Sequence, residues 1–142
     1  MRLPDVNVLI YAFRDAAPEH DSYRAWLESA IAAEEPFALA DVVLSGFVRV
    51  ATHPRIFDPP ATVEEAFGFA DAVRSARNAV QIAPGLRHWE LFRRMCSEGA
   101  ARGNLVADAY IAALAIESGS ELITTDRDFA RFPGLRWRHP LR

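Results

Sequence analysis

The chain has 142 residues and a mass of 15.8 kDa, enough for one domain and too little for two, and with 51% hydrophobic and 25% charged residues it has the balance of a soluble globule. All 16 basic residues are arginine, which excludes the chemistries that need a lysine: a P-loop, a protein kinase, a Schiff-base enzyme. A net charge of −3, a single cysteine (Cys96) and four scattered histidines (His20, His53, His88, His139) exclude an internal disulfide and make a Cys/His-bound structural zinc an unattractive reading.

Leu3 to Asp5 reads as a very short strand, because Pro4 cannot donate to a ladder. Asn7 then opens the apolar run Val8-Leu9-Ile10-Tyr11. Tyr23, Trp26, Leu27, Ala30 and Ile31 recur with helical spacing. Phe37 to Ala40 reads as a second strand, followed by Asp41 as a helix cap and the stripe Leu44, Phe47, Val48 and Ala51. The proline-rich stretch from Thr52 to Thr62 is a loop. Thr62 and Glu65 have capping-box spacing ahead of Ala66, Phe67, Ala70 and Val73 on one helix face. Ala79 to Ala83 reads as a strand ended by Pro84-Gly85, and His88, Leu91, Phe92 and Met95 mark a helix expected to stop near Gly103. A further helix is expected from Ala107 to Ser118, closed by Gly119. Glu121 to Thr124 reads as a strand, Asp126 to Phe132 as a helical turn, and Leu135 to Arg138 as an edge strand.

Strands separated by one or two helices imply crossovers, hence an α/β fold with a mainly parallel sheet covered on both faces. In such folds the reactive site lies beyond the carboxyl ends of the strands. Asp5 and Asp126 both follow strand runs and should emerge at that edge, while Asp108 is expected in the first turn of its helix beside the buried face. Singly, Asp5 and Asp126 read more readily as helix caps, and Asp108 as a first-turn residue facing the helix dipole, than as site acids. Jointly, three acids at one edge repel unless a cation sits among them. Carboxylates without cysteine or paired histidine select hard ions, Mg²⁺ or Mn²⁺. Such an ion orients water and stabilises a leaving alkoxide, which points to phosphodiester hydrolysis.

Asp5-Val6-Asn7-Val8-Leu9-Ile10 resembles the opening D-x-N-x-L/I of PIN domains, Ala107-Asp108-Ala109-Tyr110-Ile111-Ala112-Ala113-Leu114-Ala115 resembles their third-acid helix, and Thr124-Thr125-Asp126-Arg127-Asp128-Phe129 resembles their T-x-D-x-D-F ending. The resemblance spans residues 1–142 as one domain, at the size of the VapC-type toxins of bacterial toxin–antitoxin pairs. It implies a three-layer α/β/α sandwich, Mg²⁺- or Mn²⁺-dependent RNA cleavage, a homodimer, a cognate VapB-type antitoxin and a cytoplasmic location. Asp5, Asp108 and Asp126 match the family's first, third and fourth acids. Asn7 and Thr124 match its supporting Asn and hydroxyl, and Asp128 a further acid behind the ligands. Gly46 stands where the family usually has a Glu, which leaves open a degenerate member that binds RNA or a protein without cutting. Asp41 is an alternative donor, and Arg49, one turn beyond Gly46, is a candidate for a substrate phosphate or a site acid.

Three further features complete the reading. The N-terminal residues carry no apolar signal segment, and no run approaches the ~18 apolar residues of a membrane span, so no membrane partner is expected. From Arg127 to Arg142 the net charge is +4 against −7 for the preceding residues, which allows local attraction to a polyanion or only a solvated surface. Of the three tryptophans, Trp26 and Trp89 read as core, while Trp137, between Arg136 and Arg138, has the setting for stacking on single-stranded RNA.

Overall fold

A computed structural model describes residues 1–142. In chain order the elements are β1 (Arg2–Pro4), α1 (Val6–Phe13), α2 (His20–Ala32), β2 (Phe37–Ala40), α3 (Asp41–Ala51), α4 (Val63–Arg74), β3 (Ala79–Ile82), α5 (His88–Glu98), α6 (Asn104–Ser118), β4 (Glu121–Ile123), a 3₁₀ turn (Arg127–Arg131) and β5 (Trp137–Arg138). The strands pair in the order β3-β2-β1-β4-β5 and every pairing is parallel. The expected mainly parallel sheet is therefore wholly parallel.

Handedness distributes the helices. The steps β1 to β2 to β3 run one way across the sheet, and right-handed crossovers place α1 to α4 on one face. The chain then returns from β3 to β4 and on to β5, which places α5 and α6 on the opposite face. The packing agrees: α1 packs on α2 and α3, α3 on α4, and α5 on α6. The result is a three-layer α/β/α sandwich around one apolar cluster, with Leu3, Leu9, Phe37, Phe47, Leu122 and Phe129 fully enclosed. β2, at four consecutive buried residues, is covered on both faces, whereas β3 is an edge and half open.

Local signals set most boundaries. The capping box is present as read: Glu65 N donates to Thr62 Oγ1 and Thr62 N donates to Glu65 Oε1, both at 3.1 Å. Gly119 ends α6 at φ 70°, a left-handed position that a side chain would strain.

Four expectations are corrected. Asp41 does not cap α3; Ala40 holds that position and the Asp41 carboxylate pairs with Arg74 at 3.2 Å. Phe67 lies on α4 but is half exposed, because the buried stripe is Ala66, Ala70 and Val73. α5 ends at Glu98, capped by Gly99, short of Gly103. α6 begins one turn earlier than expected, at Asn104, with Gly103 at its cap in a positive-φ conformation. Asp108 thus lies in the second turn, where the helix dipole acts weakly.

The box offers a direct check on α4. Thr62→Ala should lower the unfolding free energy by about 1 kcal/mol, read as a reduced urea midpoint with unchanged slope.

Candidate active site

The chain leaves β1 in one direction across the sheet and leaves its neighbour β4 in the other, so a crevice opens between their carboxyl ends. In the β1–β4 pair Pro4 lies opposite Ile123, and the ladder closes with Asp5 N donating to Ile123 O at 2.8 Å. The next residues outward are Asp5 and Thr124. Asp5 is 6% exposed and serves as the N-cap of α1, its Oδ1 accepting from Val6 N at 2.7 Å. Its Oδ2 accepts from Thr124 Oγ1 at 2.7 Å and from Asn7 Nδ2 at 3.1 Å. Thr124 Oγ1 also accepts from Asp126 N at 3.1 Å, and Asn7 Oδ1 accepts from Thr125 N at 3.3 Å. Asp126 then caps the 3₁₀ turn, its Oδ1 accepting from Asp128 N at 2.8 Å. Asp5 and Asp126 thus each use one carboxylate oxygen to hold a helix start while lining the crevice.

Asp5, Asp108 and Asp126 line one cleft of about 1000 Å³ together with Asn7, Gly46 and Arg49. Asp108 arrives from α6, on the face opposite α1, and is half-buried. Burial pushes its carboxyl up to about 6, with Asp126, then Asp5 and Asp128, adding like-charge repulsion, while Arg131 works the other way. Asp5 is also raised, chiefly by burial; its bonds from Thr124 and Val6 oppose the rise and the Asp126 charge adds to it. The three acids therefore feel one another across the cleft. They are not drawn into a closed cage, for no three His, Cys, Asp or Glu side chains stand close enough to enclose an ion as they are. The donor set nevertheless fits Mg²⁺ or Mn²⁺, which take carboxylate oxygens and keep several waters, so one or two protein ligands suffice.

Other candidates fall out as follows. Thr124 is fully buried behind Asp5, and Asp128 is exposed on the turn outside the cleft wall. Arg49 is exposed, lines the cleft and takes part in no ion pair. Gly46 does face the cleft, and a Cβ there would meet Val6 Cγ2 at 3.0 Å, so α3 lies close against α1. Asp41 lies outside the cleft, beside Arg74. Beside Trp137, Arg138 pairs with Glu121 at 3.1 Å, while Arg136 donates to Gly119 O at 2.9 Å and keeps its charge unpaired. The sequence reading missed Tyr11, Val42, Ile56, Phe92 and Tyr110, which make most of the cleft wall apolar. Tyr110 was within reach, being two residues from Asp108; Ile56 comes from a loop whose path no periodicity foretells.

Similar proteins are known by sequence and by fold. The family model described as PIN domain matches residues 2–135. The chain is 47% identical over 137 residues to the VapC ribonuclease Mb2897 of Mycobacterium bovis, covering 96% of this chain and 93% of that protein. It is 39% identical over 140 residues to ribonuclease VapC25 of Mycobacterium tuberculosis, covering 99% of each. Its fold is similar to that of VapBC2 from Rickettsia felis, solved bound to a promoter DNA fragment (TM-score 0.70, 21% identity, 97% of each chain), and to that of Mycobacterium tuberculosis VapC20, described as a sarcin–ricin-loop-cleaving toxin (TM-score 0.69, 14% identity, 96% of this chain and 99% of that one).

The acids make stability depend on pH. Because the folded chain holds the Asp108 proton more tightly than an unfolded carboxyl at 3.8, this residue's contribution is greatest below that value and is lost as pH rises through about 6. Melting temperatures in chelator should therefore fall across that window, and Asp108→Asn should flatten the fall. Mg²⁺, which favours the ionised form, should raise the melting temperature more at about pH 8 than at about pH 5.

Proposed function

This chain belongs to the PIN-domain family, and from that premise we propose that it is a metal-dependent endoribonuclease, a VapC-type toxin that hydrolyses RNA phosphodiester bonds in the cytoplasm and is neutralised by a cognate VapB-type antitoxin. The observation that carries this reading is the convergence of Asp5, Asp108 and Asp126, from three distant segments, on one cleft at the point where the strand order reverses. The relatives named as ribonucleases support the activity, and the VapBC assemblies among the structural neighbours support the antitoxin; a homodimeric toxin is part of the same proposal. No helix is long and apolar enough to cross a membrane.

Asp5 and Asp108 would hold Mg²⁺ or Mn²⁺, with Asp126 completing the acidic site or positioning water. When bound, the ion lowers the pKa of an attacking water and stabilises charge on the phosphoryl oxygens. The protein's own part is orientation. Val6 N fixes Oδ1 of Asp5, and Asn7 and Thr124 fix Oδ2, so the carboxylate plane cannot turn. Asp128 N holds Asp126 in the same way. Arg49, which lines the cleft from α3 without an ion pair, would bind a substrate phosphate. No nucleophilic side chain is required.

One observation favours a second reading. Gly46 supplies no fourth carboxylate and the three acids are not gathered around a point, as in a degenerate member that binds RNA or a partner without hydrolysis. Induced expression separates the two, since toxicity that survives Asp5→Ala reports binding and not cutting.

Purified protein with Mg²⁺ or Mn²⁺ should cleave single-stranded RNA, and chelation should abolish the activity. Asp5→Asn and Asp108→Asn should each slow cleavage about 10²- to 10³-fold, corresponding to roughly 3–4 kcal/mol of lost transition-state stabilisation. Undiminished cleavage in either variant would remove the metal site from the mechanism. Arg49→Ala should lower kcat/KM about tenfold and flatten the salt dependence; wild-type rates at fixed salt would end its assignment to the substrate.

A further inference from the structure

Phe92 and Tyr110 line the acid cleft, and their rings meet edge to face with centroids 5.4 Å apart. Phe92 in turn meets Trp89 in a T-shaped contact at 5.7 Å. His88 anchors the row from beneath: it is buried, stacks on Phe92 at 6.1 Å, meets Tyr110 at 4.3 Å, and its Nε2 lies 3.0 Å from Tyr110 O. Trp89 ends the row outside the cleft. It is 62% exposed and, unlike Trp26 and Trp137, does not pack against the core. The ring is held by its contact with Phe92 and is otherwise largely open to solvent.

Its surroundings are cationic. Arg93 stands one turn along α5 and Arg87 just before it, and neither takes part in an ion pair; Arg94 beside them pairs with Glu98 at 3.8 Å. These arginines, with Leu86 and Glu90, line a shallow pocket of about 620 Å³ on the outer side of the helix. Trp89 thus sits on α5 between Phe92 of the acid cleft and, one turn on, Arg93 of the arginine pocket.

We propose that Trp89 is a stacking platform for a base of single-stranded RNA whose neighbouring phosphodiester lies in the acid cleft, with Arg87 and Arg93 meeting the flanking phosphates. The inference rests on the ribonuclease reading and adds a specificity-determining residue to it. Aromatic faces beside a cationic groove are how proteins hold single-stranded nucleic acid without reading base edges. A second copy of the chain fits the patch less well. Across a two-fold axis centred there, Arg87, Arg93 and Arg94 would face their own copies, and like charges in apposition oppose association.

The test compares a short oligoribonucleotide that fills only the cleft with one of about ten nucleotides. Trp89→Ala should raise KM for the longer strand about tenfold, within the range of a lost base–aromatic stack, and leave kcat and the short substrate unchanged. Trp89→Phe should recover most of the loss. On an Asp108→Asn background that binds without cutting, the longer strand should quench tryptophan fluorescence, and Trp89→Phe should remove the quench while Trp26 and Trp137 remain. Cleavage with an unchanged KM and an unchanged quench in the Trp89 variants would overturn the platform alone. A chain that cuts no RNA would sink the ribonuclease reading while the quench still judges the platform, and absence of any quench would overturn it. A switch from oligomer to monomer in Trp89→Ala, with both substrates affected equally, would make the patch a protein interface and overturn the proposal.

Discussion

Because Pro4 lies opposite Ile123 in the parallel pair β1–β4, the next residue of each strand leaves the sheet at the same place, and there the Thr124 hydroxyl donates to the Asp5 carboxylate at 2.7 Å. The rest of the site is built outward from that bond. Thr124 Oγ1 passes the order on to Asp126 N, Asn7 spans from Asp5 to Thr125 N, and Asp126 starts the 3₁₀ turn that carries Asp128. A one-residue slip of β4 against β1 would send Thr124 to the other face and leave a buried carboxylate without its shortest donor. Pro4 has no donor to give, and the bond that closes the pair comes from the next residue, Asp5 N, so the sheet ends on the residue that begins the site.

The same arrangement carries an unresolved charge conflict. Three hydrogen bonds hold the Asp5 carboxylate, and still burial prevails and its proton affinity rises. Asp108 is caught between burial and three like charges, with Arg131 offsetting part of the repulsion. Arg131 is partly committed elsewhere, donating to Gly99 O at 3.1 Å. A fold selected for stability alone would replace such a group by a neutral one, since ionised carboxylates brought together in a half-buried cleft cost free energy unless something positive joins them.

How much of this was legible depends on whether the signal was local. Caps and short-range motifs read well: the Thr62–Glu65 box, Gly119, the strand Phe37–Ala40, and the acids that follow strand runs. Boundaries set by tertiary packing did not. α6 starts at Asn104 after Gly103 at positive φ, a start set by backbone conformation with no capping side chain to announce it. Asp41 has the composition of a cap, but Arg74 from a neighbouring helix competes for its carboxylate. Trp137 and Trp89 exchange places for a related reason. Adjacent arginines in sequence suggest a basic setting for Trp137, yet Arg138 is paired with Glu121 and only Arg136 keeps an unpaired charge. Trp89 gains Arg93 only through the turn of the helix, a neighbour that linear reading passes over.

Gly46 ties these threads to the chemistry. A side chain there would press on Val6 at 3.0 Å, so the absence of a fourth carboxylate goes with a close approach of α3 to α1, and α1 is the helix that Asp5 caps. The wall so formed is largely apolar, from Val6 and Ile10 across to Val42 and Ile56. An apolar wall lowers the local dielectric, which strengthens repulsion among the acids and, by the same factor, the attraction of each acid for a cation. Fewer ligands in a drier cleft can therefore hold an ion that more ligands would be needed to hold in an open one. Gly46 and the raised Asp108 carboxyl thus share one cleft, the first from the close approach of α3 to α1 and the second from burial beside like charges.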